Sequence, residues 1–155
     1  MFARSTERSS IVIKASSLEI DDNRKVVTFS GNVEAKEPQF TIKCDKLLVY
    51  YTEQKGKAGT KEAQLDIEKI VAKGNVNIIR DSGGNATAEQ ALYYHSEEKL
   101  VLTGNPVVRQ GNDFVEGSKI TLFLRENRSV VEGSGNKKVR AVLFPNRKEE
   151  KPIGQ

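Results

Sequence analysis

A fourfold recurrence constrains this chain more than anything else in it. In each unit a small residue is followed three positions later by an apolar one, and a glycine closes the unit after a second apolar stretch. Unit one opens at Ala15, continues through Leu18 and Ile20, and closes at Gly31. Unit two opens at Cys44 and closes at Gly74, unit three runs from Ala88 to Gly104, and unit four from Gly117 to Gly133. Opening residue and closing glycine are 16 apart in units one, three and four but 30 apart in unit two. The 14 extra residues fall between Thr52 and Leu65, where glycines and charges predict a loop around Gly56 and Gly59.

Within each unit the apolar residues alternate, the mark of a half-buried strand. One apolar face therefore collects Leu18, Ile20, Val27, Phe29, Val33, Phe40, Ile42 and Leu47 from the first half of the chain. Val49, Val76, Ile78, Tyr93, Leu102, Ile120, Leu122 and Leu124 continue it through the second. The three-residue step after each opening residue predicts a β-bulge that bends the strand. By the same count the closing glycines fall on the apolar face, where a glycine marks a sharp bend or a close approach and leaves room along the axis.

Composition agrees with strands. Val and Ile number 25 against 10 Leu, and stiff β-branched side chains suit a pleated surface. The expected class is all-β, a meander of antiparallel hairpins stacked into a jelly roll or solenoid, in one domain over residues 10–145. Residues 1–9 and the basic stretch 146–155 are expected to be disordered. The formal charge of +4 comes from residues 136–155, and its plainest reading is a solvated terminus, since a single aromatic residue, Phe144, falls short of the interleaved platforms a single-strand nucleic-acid binder requires.

Several chemistries lose their footing on counting. One histidine, His95, cannot build a multi-His metal site, and one cysteine, Cys44, cannot form an internal disulfide. Cys44 continues the alternation from Phe40 and Ile42, so it reads as a buried small hydrophobe. His95 and the pair Asp21 and Asp22 read as turn residues, because no nucleophile or orienting partner is spelled out beside them. No metal, cofactor or catalytic residue is expected. The longest apolar run, Leu47 to Tyr51, is far short of the roughly 20 residues that span a bilayer.

Four phrases carry a family likeness: Thr28 to Val33 (TFSGNV), Ile42 to Val49 (IKCDKLLV), Leu102 to Asn105 (LTGN) and Lys138 to Pro145 (KVRAVLFP). In order and spacing they resemble the OstA-like family of lipopolysaccharide-transport proteins, over roughly residues 10 to 147. Pro106 and Cys44 depart from that family's usual residues. The resemblance implies a twisted β-jellyroll open at both ends whose apolar lining shelters lipid A acyl chains. It also implies a periplasmic location after signal-peptide removal, and a head-to-tail homo-oligomeric bridge. An LptC-like inner-membrane component and the N-terminal domain of the outer-membrane translocon would be its partners at either end.

An open stack leaves unpaired strand edges. The residues expected to meet there are Ile11 and Ile13 of one protomer and Val139, Ala141 and Leu143 of the next. Taken without the resemblance, the alternation leaves core and groove undecided. A self-assembling β-solenoid without cargo and a carbohydrate-binding jelly roll stay open beside lipid transport, although the absence of Trp argues against a sugar platform.

Overall fold

A computed structural model describes residues 10–54 and 64–145. The expected disordered segments 1–9 and 146–155, and the centre of the expected loop, lie outside the described residues. The described chain forms twelve strands: β1 (Val12–Lys14), β2 (Ser17–Asp21), β3 (Val26–Lys36), β4 (Phe40–Gln54), β5 (Gln64–Arg80), β6 (Asn85–Tyr94), β7 (Lys99–Thr103), β8 (Val107–Gln110), β9 (Asp113–Glu116), β10 (Lys119–Phe123), β11 (Arg128–Glu132) and β12 (Arg140–Val142). Every pairing is antiparallel.

The pairings resolve into two layers. Layer one has the order β2-β3-β4-β5-β6-β7-β10-β11, and layer two has β1-β3-β4-β5-β6-β8-β9-β12. Strands β3 to β6 run through both, while β1 with β2, β7 with β8, β9 with β10 and β11 with β12 each divide one crossing between them. The architecture is thus an eight-stranded meander folded along a crease, all-β and open at both ends.

The Gly–Asn pairs make the crease. Ser30 pairs with Lys46 and Val33 with Cys44, so Gly31 and Asn32 together face the single residue Asp45. Gly74 and Asn75 likewise face Asp45 on one side and Glu89 on the other. Gly31 and Asn32 have φ of 89° and 44°, and Gly74 and Asn75 have 83° and 48°. Two successive left-handed residues suit only glycine and the few side chains, Asn foremost, that tolerate that region. The predicted bulge is therefore real, but its extra residue sits on the Gly–Asn strand and not after the small opening residue.

The glycines do not face the interior. A Cβ on Gly31 would lie 2.7 Å from the Ser16 Cβ, and one on Gly74 would lie 2.6 Å from Asp45 Oδ2. Ser16 and Asp45 are exposed. These glycines allow a close approach to polar side chains at the crease, and they leave no room along the apolar axis.

The alternation aligns into rows that are buried in the middle of the stack and more exposed toward its two ends. Leu18, Phe29, Leu47, Ala72, Ala91, Leu102, Ile120 and Val131 are successive cross-strand partners in layer one. Ile13, Ala35, Ile42, Ile78, Ala86, Val108, Val115 and Ala141 form the facing row of layer two. Leu47, Leu102 and Ile120 are 0% exposed, each burial contributing about 1.5–3 kcal/mol.

Two expectations need correcting at the margins. The insertion in unit two is not all loop, because Thr52 pairs with Asp66, Glu53 with Leu65 and Gln54 with Gln64, extending the β4–β5 ladder. The basic stretch from residue 136 is not all free chain either. Lys137 Nζ donates to Asn105 Oδ1 at 3.0 Å, and Arg140 pairs with Glu116 at 3.0 Å while its guanidinium stacks on Phe114.

Candidate functional site

Among the described residues, facing rows pack tightly over most of the interior and leave space on either side of Phe40. In the N-terminal half the two layers enclose a cavity of about 300 Å3. Layer two supplies Ile11, Ile13, Ala35, Phe40 and Ile42, and layer one supplies Leu47, Ile70 and Tyr93. Glu37, Pro38 and His95 complete the lining. The room has a local cause: Ala35 projects little into the space, and Ile13 belongs to a three-residue edge strand paired on one side only.

The C-terminal half offers far less. A space of about 60 Å3 remains among Phe40, Ile78, Leu100, Val108, Leu122 and Leu124, with Arg80 and Arg109 also contributing. Between the two spaces the Phe40 ring stands edge-on to Tyr93, centroids 6.2 Å apart at 77°. Tyr93 in turn meets the His95 ring at 6.0 Å.

Acidity gathers beside the larger cavity. Burial pushes the Glu37 carboxyl above its ordinary value, with Asp81 and Glu98 adding repulsion while the Gln39 backbone N–H and His95 oppose them. Burial, then Glu37 and Glu98, raises the Tyr93 phenol in the same direction. Cys44 is buried, its thiol pushed up to about 11 by desolvation and its Sγ donating to the Lys46 carbonyl at 3.4 Å. A thiol so placed is inert as a nucleophile. His95 is exposed in the turn after β6, where its carbonyl accepts the Glu98 N–H at 3.2 Å. Among the described residues no group of three or more His, Cys, Asp or Glu side chains is placed to hold a metal ion.

The structure sorts the apolar face read from the sequence into four sets. Phe40, Ile42, Leu47 and Tyr93 line the large cavity. Ile78, Leu122 and Leu124 line the small space. Val33, Val49, Val76, Leu102 and Ile120 are buried core, with Val27 and Phe29 packed against it. Leu18 and Ile20, 53% and 61% exposed, sit on the open N-terminal edge of layer one and are not brought into the enclosed space.

Ile11 and Ile13, read as edge residues only, also line the cavity. Val139 and Leu143 are exposed at the opposite end of the stack, and Ala141 lies there on β12. The sequence reading missed Ala35, Glu37, Pro38, Ile70 and His95 as lining residues. Counting back in twos from Val76 through Ala72 reaches Ile70. No periodic signal marks Glu37, Pro38 or His95, which lie in turns brought together by the fold.

Comparison with known proteins places the fold. Residues 12–128 match the family described as LptA/(LptD N-terminal domain) LPS transport protein. The chain is 29% identical over 143 residues to the lipopolysaccharide export system protein LptA of Escherichia coli K12, covering 91% of this chain and 74% of that protein. It is 27% identical over 133 residues to LptA of Haemophilus influenzae, covering 84% and 74%. The crystal structure of LptH, the LptA-homologous periplasmic component from Pseudomonas aeruginosa, superposes with a TM-score of 0.71 at 18% identity, over 88% of this chain and 96% of that one. The chain belongs to the LptA/(LptD N-terminal domain) family of lipopolysaccharide transport proteins.

Proposed function

We propose that this protein carries lipopolysaccharide across the periplasm by sheltering lipid A acyl chains between its two layers. The observation that carries the reading is the apolar cavity of about 300 Å3, lined from both layers, in a member of a lipopolysaccharide-transport family. An apolar interior holds a chain by burial alone, each sheltered methylene contributing about 0.8 kcal/mol. No directional bond fixes the cargo at one depth, so it can slide.

Photoreactive residues test the reading. Substituted at Tyr93 or Phe29, they should capture lipopolysaccharide, while those at Glu34, which lies between the inward-facing Val33 and Ala35, or at Lys25, in the β2–β3 turn, should not. Equal capture at all four positions would sink the interior site.

The strand edges support a head-to-tail bridge. Among the described strands, β1 and β2 pair only with β3, β11 pairs only with β10, and β12 pairs only with β9. Both layers therefore end in open strand edges, with Val12, Leu18 and Ile20 exposed at one end and Val139, Leu143 and Phe144 at the other. The two ends differ in sequence, so their contact is heterologous and grows instead of closing. An LptC-like component at one end and the translocon's N-terminal domain at the other would present the same kind of edge. Sedimentation should show species that lengthen with protein concentration, and Leu18→Glu should shorten them. A concentration-independent monomer of the unmodified chain would exclude the bridge.

A further inference from the structure

Three spaces meet at one side chain. The large cavity and the C-terminal space share a single lining residue, Phe40. Phe40 also lines a third recess, of about 300 Å3, with Pro38, Gln39, Arg80, Asp81 and Leu124. It is 6% exposed and is the first residue of β4, just after a turn closed by the Glu37 N–H donating to the Phe40 carbonyl at 3.0 Å. Its ring reaches across the interior from layer two to meet Tyr93 of layer one edge-on. A ring held there borders each of these spaces, and rotating it about χ1 breaks side-chain contacts without breaking the backbone ladder.

We infer that Phe40 sets the length of acyl chain the interior accepts: its ring ends the apolar path at the N-terminal cavity, and displacing it joins that cavity to the space among Ile78, Leu100 and Leu122. The inference rests on the acyl-chain reading of the cavity. A short chain ends against the ring at no cost. A longer one must either stop there with its excess methylenes in water or displace the ring from Tyr93.

The test uses the full chain and a dansylated fatty acid, displaced by saturated fatty acids from octanoic to octadecanoic. For the unmodified protein, affinity should climb by up to about fourfold per buried methylene and then level off. In Phe40→Leu and Phe40→Ala the climb should continue to longer acids, raising octadecanoate affinity by about tenfold or more while leaving octanoate nearly unchanged. Tyr93→Phe, which keeps both rings, should keep the plateau. Phe40→Leu retains most of the side-chain volume and carries the test if Phe40→Ala does not fold. Identical length profiles in the unmodified protein and Phe40→Leu would overturn the role of Phe40 while leaving acyl binding intact. Failure of the unmodified protein to bind the probe would overturn both readings.

Discussion

The two halves of the interior are built from one pattern and end up with different contents. Around β7 and β10, Leu100, Leu102 and Ile120 are no more than 1% exposed, and the space left among their neighbours is about 60 Å3. Around β1 and the second half of β3, the same alternation of inward side chains leaves about 300 Å3. Alternation decides which residues face one another. Side-chain size and the position of the sheet edge decide whether they touch. One half is filled and the other keeps a space, although no difference in periodicity separates them.

The largest expected effect tests that division. Leu102→Ala should destabilise the fold by about 2–5 kcal/mol in urea unfolding, because it empties a closed, fully packed site. Ile13→Ala, on an edge strand beside a space already present, should cost clearly less, about 1 kcal/mol, since the cavity contribution is small where the neighbours are already apart. Equal losses at the two positions would break the comparison.

The crease, by contrast, should treat both halves alike. Gly74 in one half and Gly104 in the other share a left-handed φ, 83° and 81°, and an added Cβ would meet Asp45 or Glu89 within 2.6 Å. Gly74→Ala and Gly104→Ala should therefore each lose about 1–3 kcal/mol. Gly83→Ala serves as the control, because a Cβ there meets nothing within 4 Å and the change adds only the strain of a left-handed φ. A loss at Gly74 alone would place the difference between the halves in the backbone and not in side-chain filling.

What the sequence made legible follows the same physics. The strands, the four units and the facing of Leu47, Leu102 and Ile120 were readable because burial on one face imposes a strict period of two. The bend was readable too, but its bulge was placed on the wrong strand. Phe29, Gly31 and Val33 keep an unbroken alternation by count, and only the pairing with Cys44 and Lys46 reveals that two residues oppose one. That illusion also set the glycines on the inner face. The cavity was not legible, since its lining depends on Ala35 being small, on Ile13 lying at an edge, and on Glu37 and His95 arriving from turns far apart in sequence. Pattern encodes direction and carries no record of distance between layers.

The smallest expected effect concerns the one acidic side chain that lines either of these two spaces. Glu37 lines the large cavity, whereas Arg80 and Arg109 are the charged residues lining the small one. Its carboxyl is raised above the ordinary glutamate value, first by burial and then by Asp81 and Glu98. The folded state therefore holds the proton more tightly than the unfolded chain does, and stability falls as pH rises from the ordinary glutamate value through the raised one. Below that window both states are protonated at this site and the penalty is absent. Glu37→Gln cannot ionise, so its melting temperature should match the unmodified protein near pH 4 and exceed it at pH 7, the gap opening between. His95 opposes the rise at Glu37, so Glu37→Gln should be measured again beside His95→Gln, where the gap should widen. A Glu37→Gln protein that tracks the unmodified one at every pH would show that the cavity side is as well solvated as open surface, and the two halves would then differ in volume alone.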